Sequence, residues 1–179
     1  MNNPVWLVLA VVAIALGAIF LLRPTLPPVP TPGSLIPDAI EGFILVNKES
    51  RIDPIFPGED HSAHASYTSA PGGPWSGKVD HLGIAIFRFK DTAKISEARN
   101  LLIPYGKSER QTLDGVTVEL ATDEGEVGAF WQEGALFVAI LATAPPGDSV
   151  DLQKLREAAQ AAAKAVLTLR SKSEAPRSR

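Results

Sequence analysis

Residues 116–142 read VTVELATDEGEVGAFWQEGALFVAILA. Three β-favouring runs, Val116–Ala121, Glu126–Gln132 and Ala135–Ala142, are separated by the short connections TDEGE and QEGA. Each connection carries a glycine, Gly125 or Gly134, which supplies the positive φ that a tight turn between twisted strands demands. The stretch is therefore read as a three-stranded antiparallel meander.

The rest of the domain is read outward from it. Upstream, Leu82–Phe89 (LGIAIFRF) is apolar on both faces, with Leu82, Ile84 and Ile86 opposite Ala85, Phe87 and Phe89. That pattern suits a central strand covered on both sides. Phe43–Asn47 (FILVN) reads as a first strand, and Lys48–Val79 as a long insertion after it. Asp91 is placed to cap a helix in which Ile95, Ala98, Leu101 and Leu102 recur at helical spacing until Pro104. Downstream, Asp148 can cap a second helix, with Asp151 in its first turn. Its apolar stripe is Leu152, Leu155, Ala159, Ala162, Val166 and Leu169, and alanine in mid-stripe permits close approach to a sheet. The order predicts an α+β domain over residues 38–169: a mostly antiparallel β-sheet of about five strands packed with two helices.

What precedes the domain is of another kind. Val5–Leu22 is eighteen consecutive apolar residues, enough for a helix of about 27 Å, close to the thickness of a bilayer core. Trp6 and Arg23 flank it, and the MNNP start lacks the basic n-region of a cleaved signal peptide. Residues 1–23 are thus expected to form a single transmembrane anchor. Ala10, Ala13 and Gly17 fall on one face of that helix, extended by Trp6 and Phe20, and small residues let helices in lipid pack closely. Residues 24–37 (PTLPPVPTPGSLIP) hold six prolines, which fix φ and remove donors, so they read as a polyproline-II stalk. Leu26, Val29, Leu35 and Ile36 on the stalk, with Trp75 on the Gly/Pro-rich loop Ala70–Gly77, are candidate contacts to a partner. Residues 170–179 read as a basic, disordered tail.

Composition excludes several functions. The chain has no cysteine, which removes disulfides, thiol catalysis, iron–sulfur ligation and haem attachment through C-x-x-C-H. Acidic residues outnumber basic ones over residues 38–169, which argues against nucleic acid as a partner. No nucleophile elbow, phosphate loop or dinucleotide fingerprint is present, so no catalytic residue and no enzyme activity is expected. All three histidines fall between His61 and His81; His61, His64 and His81 together would suit zinc or copper, and no other cofactor is expected.

These features lead to an expectation of a non-catalytic, membrane-anchored accessory or scaffolding subunit of a larger membrane complex. Respiratory and photosynthetic assemblies are host classes that recruit such subunits. Its partners would be the bilayer and other transmembrane subunits, at the inner membrane of a bacterial cell, with the domain on the extracytoplasmic (periplasmic) side. The alternative is a tethered extracytoplasmic module that binds a metal, a lipid or a small solute.

Overall fold

The computed structural model describes residues 29–103, 107–147 and 150–174. Seven strands form one sheet: β1 (Phe43–Arg51), β2 (Glu59–Ser69), β3 (His81–Phe89), β4 (Lys107–Leu113), β5 (Val116–Asp123), β6 (Glu126–Glu133) and β7 (Leu136–Thr143). Their order is β1-β2-β3-β7-β6-β5-β4, and every pairing is antiparallel. Helix α1 (Ile95–Leu102) lies on one face and α2 (Leu152–Glu174) on the other.

The expectation of about five mostly antiparallel strands is overturned by this seven-stranded, wholly antiparallel sheet. The two strands that went unread are β2 and β4. In β2 the inward residues include Ala63 and Ala65, which are small, and polar side chains alternate with them, so the run carries little hydrophobic signal. β4 (KSERQTL) is an edge strand with four of its residues in a row exposed, which leaves no buried face to mark it. β1 also runs on to Arg51, four residues past the expected end.

Among the described residues no helix is long and apolar enough to cross a membrane. The expected anchor, residues 1–23, lies outside the described residues, as do its packing residues Trp6, Ala10, Ala13, Gly17 and Phe20, and Leu26 of the stalk.

Alternation explains how one sheet supports two cores. Leu82, Ile84 and Ile86 of β3, with Val138 and Ile140 of β7, point to the α2 side. There Ala158, Ala159, Ala162 and Ala163 are all closed to solvent, so the helix backbone comes close to the strands. Asp151 stops this helix at its start, its Oδ1 accepting the Lys154 N–H at 3.1 Å. The helix continues through residues 170–174, which the sequence had assigned to the tail. On the opposite face Phe87, Phe89 and Phe137 pack with Ile95 and Ala98 of α1.

The last residues assigned to the stalk belong to the folded body. Pro32–Leu35 form a 3-10 turn, and Leu35 and Ile36 are 1% and 2% exposed within the α2-side core. A partner-contact role for these two is therefore corrected: they fill the domain's own core. Val29, by contrast, is exposed.

Candidate functional site: an open groove on the sheet face

Helix α1 covers only part of its face. It crosses from the end of β3 toward the start of β4, and Leu102 near its end stands beside an open groove. The register builds the floor: Gly83 pairs with Leu141, and Ala85 with Ala139, on the two central strands. A pair of directly opposed residues shares a face, so these four lie together on the α1 side. Phe130 of β6 and Leu102 form one wall, and His64 of β2, paired with Ala85, forms the other. The groove encloses about 250 Å³.

Its depth comes from missing side chains. Gly83, Ala85 and Ala139 lie between taller side chains, Leu141 beside Gly83, His64 beside Ala85 and Phe130 beside Ala139, so the surface dips between them. Gly128 serves the same end on β6: the Phe130 ring lies across it, and a Cβ there would collide with that ring. Small side chains on the floor expose apolar surface and allow close approach, which suits a docking or ligand site.

His64 adds the groove's one unusual polar feature. Its ring stands edge-on to Phe87, with centroids 5.4 Å apart. Nε2 is shielded from solvent and has no hydrogen-bond partner. Burial pushes the imidazole below its ordinary pKa, with the nearby Glu49 carboxylate opposing that shift.

The other candidate residues are scattered or engaged. His61 and His64 sit an odd number of residues apart on one strand and therefore project to opposite faces. His61 Nδ1 accepts from Arg88 Nη2 at 3.0 Å, while Arg88 also grips Asp60 at 2.8 and 3.1 Å. That hydrogen bond, above all, holds the Asp60 carboxyl below its usual range. His81 lies at the far end of β3, with the Ser66 hydroxyl 3.4 Å from its ring nitrogens. The expected zinc or copper cluster is thus not assembled, and among the described residues no group of three or more His, Asp or Glu is placed to hold a metal.

Trp75 folds back on its own domain. It stacks on Phe43 with centroids 5.9 Å apart, donates from Nε1 to Glu41 O at 2.9 Å, and lies under Lys154 Nζ. The groove residues were missed from sequence. Their signal was present in Leu82–Phe89, where Gly83 and Ala85 alternate with large side chains and thin one face of an otherwise bulky strand.

No family model matches the chain, and no curated protein does. Among solved structures, a GTP binding regulator from Thermotoga maritima aligns at 8% identity with a TM-score of 0.39, covering 68% of this chain and 75% of that one. A likeness at that level carries no argument about fold or function.

Proposed function

We propose that the chain is a non-catalytic accessory subunit, held at a membrane by Val5–Leu22, whose domain binds a neighbouring subunit through the open half of its sheet face. The observation that carries the reading is the groove over Gly83, Ala85, Ala139 and Leu141, an apolar surface left uncovered beside α1. Exposed apolar relief with a small-residue floor is costly to leave in water and is stabilised when a partner covers it. The charged groups of the domain support a binding role over chemistry, since Arg88, Asp60 and His61 hold one another and Arg99 is bound to Glu119.

Native electrophoresis of mildly solubilised membranes tests this. A subunit should migrate far above the 19.0 kDa of the chain plus its detergent, in company with other proteins. Migration as a lone chain would contradict the proposal.

A second reading rests on the same groove: at about 250 Å³ it also suits a small apolar solute. Solvent extraction of the purified full chain separates the two. A stoichiometric small apolar molecule in the extract favours the solute, and an empty extract from a chain that co-migrates with proteins favours the subunit.

A further inference from the structure

We infer that the loop of residues 52–58, which joins β1 to β2, is a second membrane contact that rests on the lipid surface beside the point where the chain enters the domain. The inference rests on the membrane-held reading above.

Three observations converge on one end of the sheet. First, the loop presents apolar side chains outward: Ile52 is 73% exposed and Ile55 48%. Large apolar residues at a loop tip point to a contact that covers them. Second, the loop is braced from within. Glu59 is buried, and its Oε2 accepts from the N–H groups of Ile55 and Phe56 at 2.9 and 3.0 Å. Phe56 turns inward to meet Phe87 edge-to-face at 5.1 Å. Pro54 and Pro57 restrict the backbone further. The tip is thus held in a shape that keeps Ile52 and Ile55 out, and little ordering entropy remains to oppose a contact.

Third, the described chain begins at the same end. Gly33 lies against Ser50, near the end of β1, where a Cβ on Gly33 would be 2.6 Å from Ser50 Oγ. From there the chain runs back along β1. Lys48 Nζ reaches Ile36 O at 3.0 Å, Tyr67, which pairs with Leu45, donates to Pro37 O, and Phe43 opens the strand. The first described residue, Val29, is itself exposed. The described chain therefore enters the domain at the end that carries Ile52 and Ile55.

The occupant is lipid of no particular charge. Of the basic groups near this end, Arg51 is paired with Glu49 at 3.0 Å and Lys94 with Glu97 at 2.7 Å, and the exposed Lys90 is offset by the exposed Asp53 of the loop, so no cationic cluster selects an anionic headgroup. The contact is apolar, seated at the headgroup boundary.

The natural chain has no cysteine, so one introduced cysteine carries one label. The full chain is reconstituted in phosphatidylcholine vesicles with and without nitroxide-labelled lipid. A fluorophore is placed at Ile55→Cys, at Ala13→Cys in the apolar run, or at Glu124→Cys in the β5–β6 turn at the opposite end of the sheet. The expected result is strong nitroxide quenching at positions 55 and 13 and little at 124. Addition of Ile52→Ser to Ile55→Cys should reduce the quenching at 55, with unchanged thermal melting showing that the fold is kept. Quenching at 13 while 55 behaves like 124 overturns the loop contact and leaves the anchor standing. Quenching at 55 with none at 13 upholds the loop and overturns the anchor. Quenching at neither position overturns both.

Discussion

Tyr67 is closed to solvent, and its hydroxyl donates to Pro37 O, tying the entering segment to the sheet. Burial, with the Asp38 charge adding to it, pushes its pKa from 10.0 to about 12. The folded state therefore holds the phenolic proton more tightly than the unfolded chain does. Its contribution to stability is fully present below about pH 10 and is lost as pH rises through about 12. Chemical melts between pH 8 and 12 should show that alkaline fall for the natural chain, and Tyr67→Phe should flatten it. At neutral pH the same substitution leaves Pro37 O without its donor and should cost about 1–3 kcal/mol. Leu35 and Ile36 teach the companion lesson. Read along a proline-rich run they look like spare apolar side chains, yet both are core residues, because the turn at Pro32–Leu35 folds them under β2 and β3. Proline content gave no sign of where that segment docks.

At the scale of elements, what was legible depended on how much apolar contrast a segment carries. The meander β5–β7 was readable because hairpin glycines separate strands with strong inward residues such as Val118, Leu120, Val127 and Ile140. β2 was not, because its inward face uses Ala63 and Ala65, and polar spacing there resembled a loop. Helix α2 was legible for the opposite reason, a long apolar stripe at 3.6-residue spacing. Its alanines also make it sensitive to added volume. Ala162 is closed to solvent against the sheet, so Ala162→Leu should force the helix away and destabilise the domain by about 1–3 kcal/mol in urea melts. Lys164→Ala, at an exposed position two residues on, should change stability by no more than about 0.5 kcal/mol.

For the whole molecule, the proposed function rests on what the two helices leave bare. The longer helix spans the β3, β6 and β7 side of one face, whereas the eight-residue α1 covers only part of the other. A groove of this kind is hard to read from sequence, since it depends on Gly83, Ala85 and Ala139 meeting across strands that are distant in the chain. The histidine cluster failed as a site for the same reason in reverse. Residues close in sequence were separated by the alternation of β2 and by the length of β3.

Gly83→Val separates a partner-binding groove from an idle one. A Cβ at Gly83 would meet His81 Nε2 at 3.6 Å and Leu141 O at 4.0 Å, ordinary contact distances, and valine favours strands. The variant should melt at or above the natural temperature while its side chain fills the groove floor. In native electrophoresis of solubilised membranes, the natural chain should run in a larger assembly and Gly83→Val should be released from it. If the variant stays in an assembly of unchanged size, or the natural chain runs alone, the groove does not bind a partner subunit.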